Sequence, residues 1–278
     1  MSELCRDSAS PLMPRKLRGE SIPSLQLAWH SALQSVFGRV WHQPWVPQRP
    51  SAARATQLSA QSVRPRDVAP RSFTMKLYIT PLSPYARFAR IVVLEKGLED
   101  RVDIIPAQTR VAKSPYYAIN PSGRVPYLVR EDGIGMEDSA LICAYLDHLG
   151  GAPAFAPPAG DQAWEMWRLE ALARSMLDGL TVWGRELRHR PEEERSPTII
   201  EHERQRSGRM ADVWEKEIEN PLMQGKLNMA QITITCALQY GSHVLGLEWR
   251  QEHSKLASWL DVVGKRPSVA ATAPAANP

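Results

Sequence analysis

A serine hydroxyl stands where a short β-type run gives way to a helix. Residues 76–80 have strand-like composition, Pro81 ends the run, and Ser83 and Pro84 begin an amphipathic segment. Proline is favoured at the first position of a helix and serine at the position before it. A hydroxyl placed there can donate a hydrogen bond to an anion, and the helix dipole adds to the attraction. Serine is also the ordinary N-cap of a helix, so both roles are open.

A second serine opens a later helix. Asp138 and Ser139 come directly before an apolar-periodic segment that runs to Leu149. The hydroxyl and backbone N–H of a serine at a helix N-terminus can bind a carboxylate, and the neighbouring aspartate can pair with an amino group. The alternative is again a plain N-terminal cap.

The elements around these serines alternate between strand and helix. Strands are predicted at 76–80, 102–106, 125–129 and 134–136, helices at 83–97 and 138–149, and a short helix or loop at 113–119. Because a helix joins the first two strands, they are expected to be parallel. The order β-α-β, loop, β-β-α is that of a thioredoxin-like half-domain.

The second half of the chain is helical in pattern. A proline-rich linker at 152–160 precedes helices at 162–187, 198–218, 229–245 and 254–264, with a charged break at 191–196. Asn228 and Gln231 retain the spacing of a capping box, which we interpret as structural. The helical domain is predicted to cover 161–267, and the Ala- and Pro-rich tail at 268–278 is expected to be frayed.

Residues 1–74 differ from the rest in charge. They carry ten Lys and Arg residues against four Asp and Glu, a net charge of +6, whereas the whole chain has +4. The remainder therefore has no positive excess that favours nucleic acid. The N-terminal stretch is predicted to be a disordered or processed extension, with Met75 as a possible true start. An Arg- and Ser-rich, acid-poor profile also fits an organelle transit peptide.

Composition and cysteine spacing limit the classes of protein to which this chain can belong. With 43% hydrophobic and 23% charged residues and no apolar run of about 20 residues, the chain is expected to be globular and not to span a membrane. Cys5, Cys143 and Cys236 form no C-x-x-C pair and no metal-ligand spacing. We therefore predict no metal, no disulfide framework and a cytoplasmic location.

Four segments from residue 75 onward carry a pattern shared with a known family. They are MKLYITPLSPYARFAR at 75–90, NPSGRVPYL at 120–128, EDSALICAYLD at 137–147 and ASWLDVVGKRPSVAAT at 257–272. Taken together and in this order, they resemble the glutathione S-transferase family, in its bacterial form with a serine-type active-site loop. The resemblance implies an α/β thioredoxin-like N-terminal domain at 75–151 followed by an all-α helical C-terminal domain.

The family's activity gives Ser83 a chemical role. The resemblance implies an enzyme that conjugates the thiolate of glutathione to small hydrophobic electrophiles in detoxification, usually as a homodimer. Glutathione is then a co-substrate, and no other cofactor is implied. Ser83 matches the serine that activates the thiol. Tyr78 is a rival, because other classes use a tyrosine near the end of the first strand, but its place inside an apolar strand favours a core role.

The resemblance also implies the glutathione-binding residues. Val125 and Pro126 should be joined by a cis peptide bond that presents the valine backbone to the tripeptide. Ser139 and Asp138 should bind its γ-glutamyl end, although the family more often has glutamate before that serine.

The glycyl carboxylate and the electrophile have less definite partners. Lys113 and Arg124 are candidates for the carboxylate, and Gln108 and Tyr85 are weaker ones. The electrophile is expected between the domains, near the first helix of the second domain. Trp167, Met176 and Trp183 are possible lining residues, although such spacing is more often core.

Two alternative functions stay open at this stage. One is a glutathione-dependent isomerase or dehalogenase on the same fold. The other is a non-catalytic interaction protein that keeps the fold without turnover. Retention of Ser83, Pro126, Asp138 and Ser139 together favours an enzyme.

Overall fold

The computed structural model describes residues 74–151, 154–157 and 160–274, so the predictions for residues 1–73 lie outside the described part. Four strands form one mixed sheet: β1 (Met75–Ile79), β2 (Val102–Pro106), β3 (Tyr127–Val129) and β4 (Gly135–Glu137). Their order is β2-β1-β3-β4, with β1 and β2 parallel and the other pairs antiparallel. The predicted thioredoxin-like topology is confirmed.

The N-terminal domain has three helices: α1 (Pro84–Glu95), the single turn α2 (Tyr116–Ile119) and α3 (Ser139–Leu149). Helices α1 and α3 pack against each other, and α3 also contacts β3 and β4. In β1, Met75, Leu77 and Ile79 are buried and alternate with more accessible residues. Because alternate side chains of a strand point to the same face, these three residues form the sheet's contribution to the core.

A buried ion pair ties this domain to the segment that follows. Lys96 Nζ lies 2.6 Å from Asp147 Oδ1, and their side chains are 1% and 8% exposed. Lys96 Nζ also donates to the carbonyl of Gly151 at 2.8 Å. Asp147 accepts the backbone N–H groups of Phe155 and Ala156, both at 3.0 Å. These contacts fix where the chain leaves α3.

The second domain is helical, as predicted. It contains α4 (Gln162–His189), a 3₁₀ turn (Glu192–Glu194), α5 (Pro197–Glu217), α6 (Pro221–Gln224), α7 (Met229–Leu245), α8 (Ser254–Val263) and α9 (Pro267–Ala271). Helix α7 has the predicted bounds and is buried along nearly its whole length, because it packs between α4 and α1. No described helix is long and apolar enough to cross a membrane.

The capping box predicted at the start of α7 is present. Asn228 Oδ1 accepts the N–H of Gln231 at 3.1 Å, and the Gln231 side chain accepts the N–H of Asn228 at 3.2 Å. Gln231 Nε2 also donates to the carbonyl of Met223 at 2.9 Å. The glutamine therefore joins the start of α7 to α6 in addition to capping it, which supports a structural role.

The prediction of a frayed tail from residue 268 is wrong up to Thr272. Residues Pro267–Ala271 form α9, with Val269 fully buried and Thr272 nearly so. The segment is fixed by contacts with α1, since Arg266 forms an ion pair with Glu95 at 2.8 Å and Ser268 donates to the same carboxylate. Composition favoured fraying, but contacts with a distant helix decide the structure.

Candidate active site

The three segments that carry candidate residues reach the same edge of the sheet. Tyr78, Tyr127 and Glu137 lie side by side across β1, β3 and β4. Neighbouring strands are about 4.8 Å apart, so the residues next in register stay close. Beyond this row the chain continues from β1 toward Ser83, starts β3 from Val125 and Pro126, and leaves β4 into Asp138 and Ser139.

Ser83 caps α1 and keeps its own proton available. The N–H of Ala86 donates to Ser83 Oγ at 3.2 Å, and Pro84 occupies the first helical position. A hydroxyl has one hydrogen to donate besides its acceptor sites. Among the residues that the structure describes, no acceptor takes the Ser83 hydrogen, and the side chain is partly exposed. Capping and donation to an external anion are therefore compatible.

The Val125–Pro126 peptide bond is cis, as the resemblance implied. The turn before it is fixed by the carbonyl of Arg124, which accepts the Tyr116 hydroxyl at 2.5 Å and Asn120 Nδ2 at 3.0 Å. Within the described residues the backbone N–H and C=O of Val125 have no hydrogen-bonding partner. An unpaired peptide group of this kind can pair with an extended peptide, as a strand edge does.

Asp138 and Ser139 begin α3 in an unusual backbone geometry. Asp138 has φ = 74°, in the left-handed region that non-glycine residues rarely occupy. Its Oδ1 accepts the N–H of Ala140 at 2.7 Å, so Asp138 does cap the helix. Ser139 is buried, and its Oγ accepts a hydrogen bond from Arg174 Nη1 at 3.2 Å.

Arg174 was not predicted as a site residue. It extends from α4 toward the start of α3, forms an ion pair with Glu170 at 2.8 Å and lies over the Phe88 ring at 5.5 Å. A guanidinium beside the N-terminus of α3 makes that end of the helix more attractive to a carboxylate. The sequence signal was weak, because an arginine one turn from a glutamate is typical of any solvated helix face.

The candidates for the glycyl carboxylate are not held in place. Lys113 and Arg124 are exposed, and within the described part of the chain neither side chain forms a hydrogen bond or an ion pair. Lys113 has φ = 58°. Its loop leaves the same sheet edge, since the N–H of Ala107 donates to the carbonyl of Ile79 at 2.8 Å. Gln108 in this loop is also exposed.

The two candidate tyrosines have structural partners. Tyr78 is half-buried on the sheet face away from the core and packs against Tyr116, with ring centroids 5.6 Å apart. Tyr85 donates its hydroxyl to Asp178 and lies 3.4 Å from Thr181 Oγ1, both on α4. Burial and the Asp178 hydrogen bond raise the pKa of Tyr85 to about 12. Tyr85 therefore joins the domains in its neutral form.

Known proteins match both the sequence and this arrangement. A family model described as "Glutathione S-transferase, N-terminal domain" matches residues 82–149. The Uncharacterized GST-like protein YibF of Escherichia coli is 31% identical over 205 residues, which cover 72% of this chain and 98% of that protein. The chain belongs to the glutathione S-transferase family.

Other members of the glutathione S-transferase family that resemble this chain include a yeast protein and two crystal structures with bound ligands. Glutathione S-transferase 2 of Saccharomyces cerevisiae is 26% identical over 209 residues, covering 70% of this chain and 88% of the yeast protein. A family member from Pseudomonas fluorescens Pf-5 is 31% identical, with 72% of this chain and 99% of that chain covered and a TM-score of 0.67. Its crystal structure contains glutathione. A second Pf-5 structure contains S-(propanoic acid)-glutathione, with a TM-score of 0.65, 31% identity, and 72% and 100% of the two chains covered.

This member of the family also buries an arginine close to Ser83. Arg87 is 4% exposed; its Nε donates to Thr272 Oγ1 at 3.3 Å and its Nη2 to the carbonyl of Val269 at 3.0 Å. Nη1 is buried without a partner among the described residues. Arg87 and Ser83 line one small cavity together with Cys236. No local pattern predicts these contacts, because the partners of Arg87 lie far along the chain.

The remaining side chains add little chemistry. Burial raises the pKa of Cys236 to about 11, so this thiol stays protonated beside the cavity. Met176 and Trp183 are buried and belong to the core, whereas Trp167 is half exposed. In the described residues, no group of three or more His, Cys, Asp or Glu side chains has an arrangement suited to a metal ion. The expectation of a metal-independent reaction remains a prediction.

Proposed function

We propose that this protein is a glutathione transferase, which joins the thiolate of glutathione to small hydrophobic electrophiles and uses Ser83 to stabilise the sulfur anion. The observation that carries the proposal is the Ser83 hydroxyl, which accepts the Ala86 N–H and has no described acceptor for its own hydrogen. The serine-type loop is thus part of the proposal. The relatives named above, among them a glutathione complex and a yeast glutathione S-transferase, support it.

The chemistry requires a lowered thiol pKa. A free thiol has a pKa of about 8.5 and is mostly protonated at neutral pH. Donation from Ser83 Oγ and the positive end of α1 favour the thiolate, and the thiol proton passes to solvent. The sulfur then forms a bond to the electrophilic carbon, and the leaving group departs with its bonding electrons or the electrons move into a conjugated acceptor. Glutathione is consumed, so it is a co-substrate and no prosthetic group is needed.

The tripeptide would be bound by two other segments at the same edge of the sheet, the turn before β3 and the start of α3. The unpaired backbone of Val125, in the turn completed by Pro126, pairs with the cysteinyl portion. Ser139 and the start of α3 take the γ-glutamyl carboxylate, and Asp138 takes the amino group. Arg124 and Lys113 remain the candidates for the glycyl carboxylate, because both side chains are exposed and have no partner among the described residues.

A second copy of the chain would cover two exposed apolar areas. Trp164 and Trp167 on α4 are 75% and 51% exposed, and Ile134 and Leu141 in the other domain are 55% and 52% exposed. In a two-fold dimer each area of one subunit can face the other area of its partner. We therefore propose a homodimer. The free, buried thiols of Cys143 and Cys236 suit the reducing cytoplasm, which we propose as its location.

The test compares two serines with the same local structure. Ser83 precedes Pro84 and caps α1, and Ser196 precedes Pro197 and caps α5. Each serine is replaced by alanine, glutathione binding is measured by calorimetry, and turnover is measured with a chloro-nitroaromatic acceptor. Loss of either N-cap is expected to lower the free energy of unfolding by about 1 kcal/mol. Only Ser83→Ala is expected to lose turnover, by about a hundredfold, while retaining most glutathione affinity.

The alternatives give different results in the same experiment. If the wild type does not bind glutathione, the protein is a non-catalytic member of the family and the proposal fails. If it binds glutathione but conjugates no acceptor, haloalkanes and cis–trans isomerisable diacids become the substrates to assay, since an isomerase or dehalogenase on this fold gives that result. Equal turnover in the two serine variants would remove the role of Ser83.

A further inference from the structure

One face of α4 changes from acidic to strongly basic toward the end of the helix. Asp178 and Thr181 contact Tyr85. Arg185 and Arg188 follow at helical spacing on the same face. The side chains therefore form a line that starts beside Tyr85, two residues after Ser83, and ends in two positive charges.

Tyr240 connects this basic end to the serine. Tyr240 lines the small cavity that Ser83 also lines. Its hydroxyl lies directly against Gly184, where an added Cβ would be 2.2 Å from the tyrosine oxygen. Because Gly184 is next to Arg185 in sequence, the Arg185 and Arg188 end of α4 stands beside the cavity that contains Ser83.

The charge of a third arginine, in the other domain, acts on the same region. Arg110 lies in the loop after β2, with a left-handed backbone (φ = 59°). Burial raises the pKa of Tyr240, and the charges of Arg188, Arg185 and Arg110 oppose that rise. Burial and the same three arginines lower the pKa of His189. Charges from α4 and from the loop thus converge on one region.

For two of these three arginines, Arg110 and Arg185, no counter-charge is found among the described residues. The nearby carboxylate, Asp178, already accepts the Tyr85 hydroxyl. Within residues 74–274, so far as they are described, Arg110 and Arg185 form no hydrogen bond and no ion pair. Like charges held together repel each other and give no stability, and a guanidinium is shaped to bind a carboxylate through two parallel hydrogen bonds. The guanidinium groups of Arg110 and Arg185 are therefore suited to bind an anionic group of a ligand.

We propose that the electrophile of this enzyme carries a carboxylate, which Arg185 and Arg110 bind while its reactive carbon lies at the sulfur held by Ser83. The inference rests on the transferase function proposed above and narrows its substrate class to organic acids with an apolar, electrophilic body. For an aryl chloride probe, the sulfur forms a bond to the ring carbon, the C–Cl bond breaks, and chloride leaves with the electron pair. The carboxylate is unchanged.

The experiment uses two electrophiles with the same reacting carbon, one charged and one neutral, and compares their ratio between variants so that their intrinsic difference in reactivity cancels. 4-Chloro-3,5-dinitrobenzoate is anionic, and its methyl ester is neutral with the same reacting carbon. The measured quantity is the ratio of kcat/KM for the acid to kcat/KM for the ester, each corrected for the uncatalysed reaction. Using a ratio cancels changes in folding, in the active fraction and in thiolate formation, so only recognition of the charge remains.

The expected results follow from the charge. Arg185→Gln and Arg110→Gln each lower the ratio about tenfold, the effect of one charge-assisted hydrogen bond at a partly exposed site. Arg185→Glu lowers it further by repulsion. The control is Arg209→Gln, since Arg209 on α5 is exposed and equally lacks a described partner, and it leaves the ratio unchanged. Raising the ionic strength so that the Debye length falls from about 30 to 3 Å screens the charges, so it also lowers the ratio measured for the wild type.

Other outcomes overturn the inference. If the ratio is the same in wild type and in the Arg185 and Arg110 variants, the arginines do not select the electrophile. If those variants instead weaken glutathione binding in calorimetry with no change in ratio, they bind the glycyl carboxylate of glutathione. If the wild type binds glutathione but conjugates neither probe nor other acceptors, the transferase function itself fails, which the Ser83→Ala experiment registers separately.

Discussion

Replacing Asp147 by asparagine removes the charge that compensates Lys96 at the end of the N-terminal domain. Lys96 Nζ and Asp147 Oδ1 are 2.6 Å apart and almost inaccessible to water. The ammonium would keep the Gly151 carbonyl at 2.8 Å and the face of the Phe155 ring, 4.6 Å from its centroid. Neither of these two groups is a counter-charge. The variant therefore removes the carboxylate that pairs with this buried ammonium.

The structure indicates the size of the effect. Breaking a buried pair by removing one partner costs about 3–5 kcal/mol, against less than about 1 kcal/mol for an exposed pair. The Asp147 carboxylate also accepts the N–H groups of Phe155 and Ala156. The side chain of asparagine has a single carbonyl oxygen, so it can keep only part of these hydrogen bonds. We expect Asp147→Asn to lower the free energy of unfolding by about 3–5 kcal/mol, a large fraction of the 5–15 kcal/mol typical of a folded protein.

The assay is urea unfolding of the purified protein at pH 7, followed by circular dichroism. The matched control is Asp261→Asn, because Asp261 pairs with Arg250 at 2.8 Å but is 59% exposed. The second variant, Lys96→Met with Asp147→Asn, keeps an apolar stem and removes both charges, so it should recover most of the loss. If Asp147→Asn costs no more than the control, or if the double variant is the least stable, the reasoning is refuted.

The pairing of Lys96 with Asp147 also makes the stability of the protein depend on pH. Burial opposes ionisation of Asp147, but the hydrogen bond and charge of Lys96 and the two backbone N–H groups prevail, so its pKa lies below the usual value. A lowered folded-state pKa gives stability that is present above the unfolded pKa, about 3.9, and is lost as pH falls through the folded pKa. The urea midpoint of the wild type should therefore fall more steeply below pH 4 than that of Asp147→Asn.

Two further predictions concern the interface and the glutathione site. Trp167→Glu should shift the protein from dimer to monomer mass in light scattering, because it places a charge in the proposed interface; Val262→Glu, at a position that is 70% exposed, should leave the mass unchanged. A monomeric wild type would contradict the dimer. Arg174→Gln should weaken glutathione binding about tenfold or more, since a guanidinium hydrogen bond to Ser139 is lost. If calorimetry shows unchanged affinity and only stability falls, Arg174 is structural.

Local signals accounted for much of the fold. The capping box of Asn228 and Gln231 lies within one turn of helix, and the Ser83–Pro84 start of α1 needs only neighbouring residues. Such features depend on short-range geometry that the sequence expresses directly. The family resemblance added the cis bond at Pro126, which composition alone would not predict.

The features that the sequence did not predict depend on contacts between distant segments. Arg174 and Ser139 are 35 residues apart, and Arg266 and Glu95 are 171 apart. An Ala- and Pro-rich tail favours disorder by composition, yet Val269 is buried because α1 supplies partners. Likewise, Arg185 is typical of a solvated helix face until the fold brings a cavity beside it. Roles of this kind are set by tertiary contacts that override local preference.

The contacts of Arg87 with Val269 and Thr272 can form only late in synthesis of the chain. Arg87 on α1 and its partner Thr272 are 185 residues apart, and the ribosome adds about 5–20 residues per second. The arginine therefore waits roughly 10 to 40 s after its own synthesis before its last partner exists. During that interval the N-terminal domain can close its sheet, but the small cavity that Ser83 and Arg87 line is still incomplete. It is completed only when the segment with Thr272 and Pro274 has been made.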